Sequence, residues 1–207
     1  MPRKPTRNTP GRPRGFDEKR ALDAATRVFA AKGYESASLA DLTSAMGVNR
    51  FSLYATFGNK EALFVKAMEH YMTAIKAFVS DCMAANSGRE SVERLLRGSA
   101  AGFTDPNAHG ICFLTQRPLT PEEISEETRQ YMHEKRQTVE SALSRRFEQA
   151  KQEDEIPPEM SAQDLASFYA LALQAIALGA QQGKTCDELL RTVEIAIACW
   201  PRGKQSP

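Results

Sequence analysis

The stretch SLADLTSAMGVNRFSLYATFGNKEALF, residues 38–64, decides the fold of this chain. Ser38, followed three residues later by Asp41, has the spacing of a capping box and opens a short helix. Asn49 can cap a second helix, and Gly47 suits the left-handed conformation that ends the first. Two short helices joined by such a turn are typical of a helix-turn-helix.

The second of these helices, expected over Arg50–Phe57, has two different faces. At about 100° per residue, Leu53 and Phe57 lie on the side that faces the core, with Val48 entering below them. The opposite side is free to contact DNA. It carries Phe51, Ser52, Tyr54 and Ala55.

Capping and breaking residues divide the rest of the chain into further helices. These helices are expected to begin at or next to Asp17, Asn59, Glu90, Thr120, Ser161 and Thr185. Gly33 should end the first of them, and the helix that Thr120 caps should run to about Gln152. Because no alternating pattern predicts a strand, the expected fold class is all-α, with about nine helices in total.

The first fifteen residues are rich in proline, arginine and glycine and carry five basic side chains but no acidic one. This composition does not favour a regular helix and is typical of a mobile arm. Arg12 and Arg14 are candidates to enter a minor groove, and the alternative is a solubilising tail. Since the net charge of the whole chain is only +1, the basic footprint is confined to this arm.

The composition argues against several other classes of protein. Hydrophobic residues make up 42% and charged residues 26% of the chain, which is ordinary for a soluble globular protein. The cysteines lack the spacing of a metal site or of a disulfide framework, and no membrane span or secretory signal is evident. No catalytic motif such as G-x-S-x-G, HExxH or a P-loop is present. We therefore expect a cytoplasmic protein that is not an enzyme and needs no cofactor or metal.

Ten residues of the opening stretch match the recognition motif of the TetR family of regulators, which this chain therefore resembles. They are Gly47, Val48, Leu53, Tyr54, Phe57, Lys60, Glu61, Ala62, Leu63 and Phe64. The close resemblance covers about residues 17–64. It implies a basic arm over 1–15, a DNA-binding domain over 16–64, and a helical ligand-binding and dimerisation domain over 65–207.

The resemblance also implies roles for individual residues. Tyr54 and Lys60 would hold phosphates, the helix over 50–57 would enter the major groove, and Ser38 and Thr43 would brace the DNA backbone. A phenol, a lysine and a helix N-terminus are good phosphate ligands on physical grounds as well.

The sequence departs from the commoner family pattern at Phe51, Ala55 and Thr56, which leaves base readout open. Phe51 and Ala55 could contact thymine methyl groups. Asn49 or Arg50 could reach a guanine or adenine edge, or only a phosphate. The operator sequence does not follow from these residues.

A small-molecule cavity between helices is expected in the second domain, lined by apolar side chains and a few polar groups. The candidates are Phe78, Cys82, Phe103, Cys112, Phe113, Gln116, Met132, His133, Phe168 and Gln174. Cys112 lies where some relatives carry a cysteine that senses electrophiles or oxidants, and His109 and Arg117 could help to form its thiolate. The alternative for each of these side chains is simple core packing.

The last two helices are apolar on more than one face, which favours contact with a second chain. We expect them to pack against their copies as a four-helix bundle. The interface candidates are Leu165, Tyr169, Ala172, Ile176, Val193, Ile197 and Trp200. The alternative is that these faces cover the core of their own chain.

Together these features predict a homodimeric regulator that binds a palindromic operator and that a small-molecule inducer, or modification of a thiol, releases. Repression is the usual behaviour of the family it resembles, and activation stays open. The alternative is a helical adaptor that binds proteins through its apolar C-terminal helices, which would leave Tyr54 without a role. Loss of DNA binding on Tyr54→Ala or Lys60→Ala, with the fold intact, separates the two.

Overall fold

The computed structural model describes residues 17–105 and 119–201, and all regular structure in these two ranges is α-helical. This confirms the all-α expectation, with eight helices in the described residues. They are α1 (Glu18–Ser36), α2 (Leu39–Met46), α3 (Arg50–Phe57), α4 (Lys60–Met83), α5 (Gly88–Thr104), α6 (Glu126–Gln152), α7 (Ala162–Gln181) and α8 (Cys186–Ala198). Within the same ranges, none of these helices combines the length and the apolar character that crossing a membrane requires.

Side-chain caps start the helices where the sequence predicts them. Ser38 Oγ accepts a hydrogen bond from the Asp41 amide at 3.0 Å, and Asp41 Oδ2 accepts one from the Ser38 amide at 3.0 Å. Asn49 and Asn59 cap α3 and α4 by accepting a bond from the amide of the third residue of each helix. Ser161 and Thr185 cap the last two helices in the same manner. Each cap satisfies a donor that would otherwise lack a partner at the helix N-terminus.

Two glycines with positive φ interrupt or end helices, one before the helix-turn-helix and one inside it. Gly47 is left-handed (φ 66°, ψ 30°) and ends α2, as expected. Gly33 also has a positive φ, of 78°, and interrupts the regular helix. The regular helix therefore breaks at Gly33 as expected, and the range of α1 reaches Ser36 because a short helical segment follows the kink.

The start of α6 differs from the sequence prediction. Thr120 does not cap this helix; its amide donates to Glu123 Oε2 at 2.6 Å, and residues 120–124 form a separate turn. That turn buries Ile124 in the core. The helix then begins at Glu126, capped by Ser125, and it ends at Gln152 as expected.

The first of two hydrophobic cores joins α1 to α4 and centres on a group of aromatic rings. Phe29 and Phe64 meet edge to face with ring centroids 5.1 Å apart, and Tyr34 lies 4.9 Å from Phe64. The same core takes in three side chains from much later in the chain: Leu119, Ile124 and Met132. The packing of the helix-turn-helix therefore depends on residues beyond position 64, and the domain boundary predicted between 64 and 65 lies inside α4.

The second core lies between the other half of α4 and helices α5 to α8. Phe147 packs edge to face against Tyr169 and Trp200, with centroid separations of 5.9 and 5.4 Å. The Tyr169 hydroxyl donates to the Ala196 carbonyl at 3.2 Å, which ties α7 to α8. Since α4 contributes to both cores, it is the element that connects the helix-turn-helix to the larger helical part.

Candidate nucleic-acid interface

Helix α3 presents two aromatic side chains to solvent and anchors itself through its other face. Phe51 is 81% exposed and Tyr54 47%, whereas Leu53 is completely buried and Phe57 almost so. The two faces therefore point as the sequence predicts. An aromatic ring left in water contributes little to folding, so this face of α3 is available for a partner.

The other candidates on and around α3 differ in how free they are. Arg50 and Ala55 are exposed, but Ser52 is only half-exposed and does not belong fully to the outer face. Asn49 Oδ1 accepts a hydrogen bond from the Ser52 amide at 2.8 Å, so its carbonyl oxygen is engaged as a cap. The amide nitrogen of Asn49 can still donate to a base or a phosphate.

Ser38 and Thr43 use their hydroxyl groups within α2. Ser38 Oγ donates to Asp41 Oδ2 at 2.8 Å, and Thr43 Oγ1 donates to the Leu39 carbonyl at 2.8 Å. Lys32, 2.6 Å from Asp41, lowers the pKa of that carboxyl to about 2, and the Ser38 hydrogen bonds contribute to the same shift. The proposed contacts of Ser38 and Thr43 with DNA phosphates would need new rotamers that free the hydroxyl hydrogens, and they stay predictions.

Lys60 takes part in a contact that the sequence does not reveal. Its Nζ donates to the Glu35 carbonyl at 3.1 Å and lies 4.6 Å from the centre of the Tyr34 ring. Burial lowers the pKa of Lys60, with the charge of Glu35 opposing the shift. In DNA-free protein Lys60 therefore braces the end of α1 against α4, and its role as a phosphate ligand stays a prediction.

Glu61 connects the start of α4 to the start of α6. Its Oε1 accepts three hydrogen bonds, from the Ser125 amide at 2.9 Å and from the hydroxyls of Ser125 and Thr128 at 2.6 Å each. Burial raises the pKa of Glu61, but these three bonds outweigh burial and lower it below its usual value. Glu61 completes the cap of α6 from another helix, immediately after the helix-turn-helix.

The ligand candidates that the structure describes are divided between the two cores and the surface. Phe78 and Phe103 are partly buried against the second core and Cys82 lies inside it, whereas Met132 belongs to the first core. His133, Phe168 and Gln174 are exposed. Cys112, Phe113 and Gln116 lie outside the described residues, as do Arg12 and Arg14 of the arm.

Most of the dimer candidates prove to be core residues of a single chain. The buried ones are Leu165, Tyr169, Ile176, Val193 and Ile197, while Ala172 and Trp200 are half-buried. A side chain packed inside its own chain offers little surface to another, so the packing does not favour the five buried residues, and the interface set stays a prediction. The exposed apolar residues of α7 and α8 are Phe168, Leu171, Leu178 and Ile195.

A capped helix-turn-helix with an exposed outer face, at the head of an all-helical chain, defines a class of DNA-binding regulators. Comparison with known proteins narrows this class. The model of the bacterial regulatory proteins of the tetR family matches residues 21–67. The transcriptional repressor ComR of Escherichia coli K12 is 30% identical over 195 residues, which cover 92% of each chain.

Two further relatives agree with this match. The repressor BdcR of Escherichia coli K12 is 25% identical over 189 residues, 90% of each chain. A cysteine-substituted form of the TetR family regulator CifR, solved with 26-base-pair operator DNA, is 36% identical with a TM-score of 0.84, over 92% of this chain and 100% of that one. This chain belongs to the TetR family of transcriptional regulators.

Proposed function

We propose that two copies of this chain form a repressor that binds a palindromic operator through α3 and is released by a small molecule. The observation that carries the proposal is the outward Phe51 and Tyr54 on a helix whose other face is buried. The similar proteins ComR and BdcR are repressors, and CifR was solved on its operator, which supports the same reading here. We assign no enzymatic activity to the chain, and we place it in the cytoplasm with its DNA.

Selection from a random duplex pool tests operator binding. The protein is mixed with the pool at about 0.15 M salt, a level that weakens purely electrostatic binding, and bound molecules are sequenced. A palindrome with two half-sites about one helical turn apart is expected. Binding without enrichment, or no binding, would contradict the proposal and favour the adaptor.

Tyr54→Ala then tests the face of α3. A dimer loses two phosphate contacts, and a bond to a charged group is worth about 1.5 kcal/mol at the low end, so we expect operator affinity to fall about a hundredfold. Met160→Ala is the matched control, because Met160 is also an exposed large side chain but lies after α6. Equal affinity of the two variants for the selected operator would show that Tyr54 does not contact DNA.

The dimer interface is moved to the exposed apolar residues of the last two helices. Leu171 is 62% exposed and Ile195 69%. Large apolar side chains that are exposed on a single chain are typical of a surface that contacts a partner. We expect Ile195→Glu to raise the fraction of monomer in sedimentation velocity, whereas Ser141→Glu on an exposed position of α6 leaves it unchanged. A dimer that tolerates Ile195→Glu would place the interface elsewhere.

Release by ligand is expected to act through α4. One end of this helix shares the first core with α3, and the other end contributes to the second core. A shift of α4 in both subunits changes the separation of the two α3 helices, which must match the half-sites. Thiol modification, the alternative trigger, is disfavoured at Cys82, because burial, helped by the charge of Asp81, raises its pKa to about 11.

A further inference from the structure

A cleft of about 450 Å³ lies between α4 and α6, away from the helix-turn-helix. Its volume is in the range that binds small molecules. None of the described ligand candidates predicted from the sequence lines it. The residues that define its character are Lys76, Val79, Met83, Ala142, Arg145 and Arg146.

The charged side chains that line this cleft are all basic. Arg146 is 4% exposed, and its guanidinium is held by Glu153 at 3.1 Å and Glu155 at 3.6 Å, so its charge is neutralised locally. Lys76 and Arg145 are exposed on opposite walls, one from α4 and one from α6. The described lining adds no carboxylate beside Lys76 and Arg145, so with Arg146 paired these two cations make the lining of the cleft net basic.

The uncharged part of the lining combines apolar side chains with a few polar ones. Val79 is buried, and Met83 and Ala142 are half-exposed beside it. Ser80 and Thr138 supply one hydroxyl from each wall. A ligand that matches this surface carries an anionic group and an aliphatic chain.

We propose that this cleft binds amphipathic organic anions, a carboxylate or a phosphate joined to an aliphatic chain. Lys76 and Arg145 hold the anion, and Val79, Met83 and Ala142 contact the chain. An anion bound between Lys76 and Arg145 would fix the position of α4 relative to α6. The effect of such a ligand on DNA binding rests on the proposed function, in which α4 transmits the signal to α3.

Calorimetric titration of the DNA-free protein with octanoate, octyl phosphate and octanol tests the ligand class. We expect at least one of the two anions to bind at one site per chain, and the anion that binds more tightly identifies the preferred head group. Octanol, which lacks the charge, should bind at least about tenfold more weakly. The double variant Lys76→Gln/Arg145→Gln should weaken anion binding about tenfold or more, while Arg27→Gln, an exposed arginine of α1 outside the cleft, should not. Circular dichroism verifies that each variant is folded.

Three results would overturn the inference: no binding of either anion, equal affinity for octanol, or unchanged anion affinity in the folded double variant. Because the titration contains no DNA, its failure leaves the operator selection untouched. Conversely, a failed selection together with charge-dependent anion binding would overturn the repressor and keep the site.

Discussion

Removing the charge of Glu61 tests whether the helix-turn-helix and α6 stabilise each other. In Glu61→Gln the side chain keeps its shape and an acceptor oxygen, but the three bonds from Ser125 and Thr128 lose their charge assistance. A bond to a charged group contributes about 1.5 kcal/mol at the low end and a neutral bond about half of that. Three bonds therefore lose about 2 kcal/mol of the free energy of unfolding, the lower value being chosen because the site is partly exposed.

Urea denaturation at fixed protein concentration measures this loss. With a slope near 2 kcal/mol per M, the midpoint of Glu61→Gln should lie about 1 M below that of the wild type at pH 7. Glu69→Gln is the matched control, since Glu69 is an exposed acid of the same helix. A midpoint shift no larger than that of the control would refute the structural role of Glu61.

The pH dependence of the stability difference between wild type and Glu61→Gln tests the role of the Glu61 charge a second time. Because the pKa of Glu61 is lowered on folding, its contribution is fully present above the unfolded value of 4.5 and is lost as the pH falls through the folded value. The deficit of Glu61→Gln should therefore shrink as the pH is lowered below about 4.5. A deficit that stays constant down to acid pH would mean that the variant acts by steric distortion rather than through charge.

Three further outcomes follow from the packing. Gly47→Ala should lower the thermal midpoint by a few degrees, because a left-handed alanine costs about 1 kcal/mol although no atom lies within 4 Å of the added methyl group. Gly98→Ala should cost about 1–3 kcal/mol in urea denaturation, since its Cβ would lie 2.7 Å from the Phe78 ring. Iodoacetamide at pH 8 should modify Cys82 in urea but not in the folded protein, as read by mass spectrometry; exposed Cys199 serves as the reactive control.

Local capping chemistry made the helix-turn-helix predictable from the sequence. Ser38 and Asp41 bond over three residues, Asn49 caps the amide three residues after it, and Gly47 ends α2 through its own left-handed conformation, so each signal is local. Leu53 is likewise buried because of its position along one helix turn. For these residues no distant contact has to be known.

The start of α6 was mispredicted because two competing signals lie close together. Thr120 and the residues after it have the pattern of a helix start, and they do make one turn. The helix itself begins after Ser125, where Glu61, 64 residues earlier in the chain, accepts the bonds that an acid at the third helical position would otherwise accept. That position holds Thr128, so Ser125 caps the helix locally but the reciprocal acid of a capping box is absent from the sequence here.

The burial of most dimer candidates in their own chain was not predicted for a related reason. Helices α7 and α8 are apolar on two faces, and periodicity alone does not tell which face the chain covers itself. Tyr169 and Val193 are completely buried in the second core, whereas Leu171 and Ile195 are left outside. Which face is buried is decided by where α6 and Trp200 pack against these helices, and that depends on the tertiary structure.

Glu61 of α4 completes the cap of α6, and this contact limits where the domains of such regulators can be exchanged. A chimera that joins this DNA-reading head to a foreign sensor at residue 64 would leave Glu61 without its donors, and Ile124 and Met132 would be missing from the first core. Heads and sensors are therefore not exchangeable as separate cassettes at that point. A transferable unit would have to carry the segment 119–132 along with the head, as a discontinuous module.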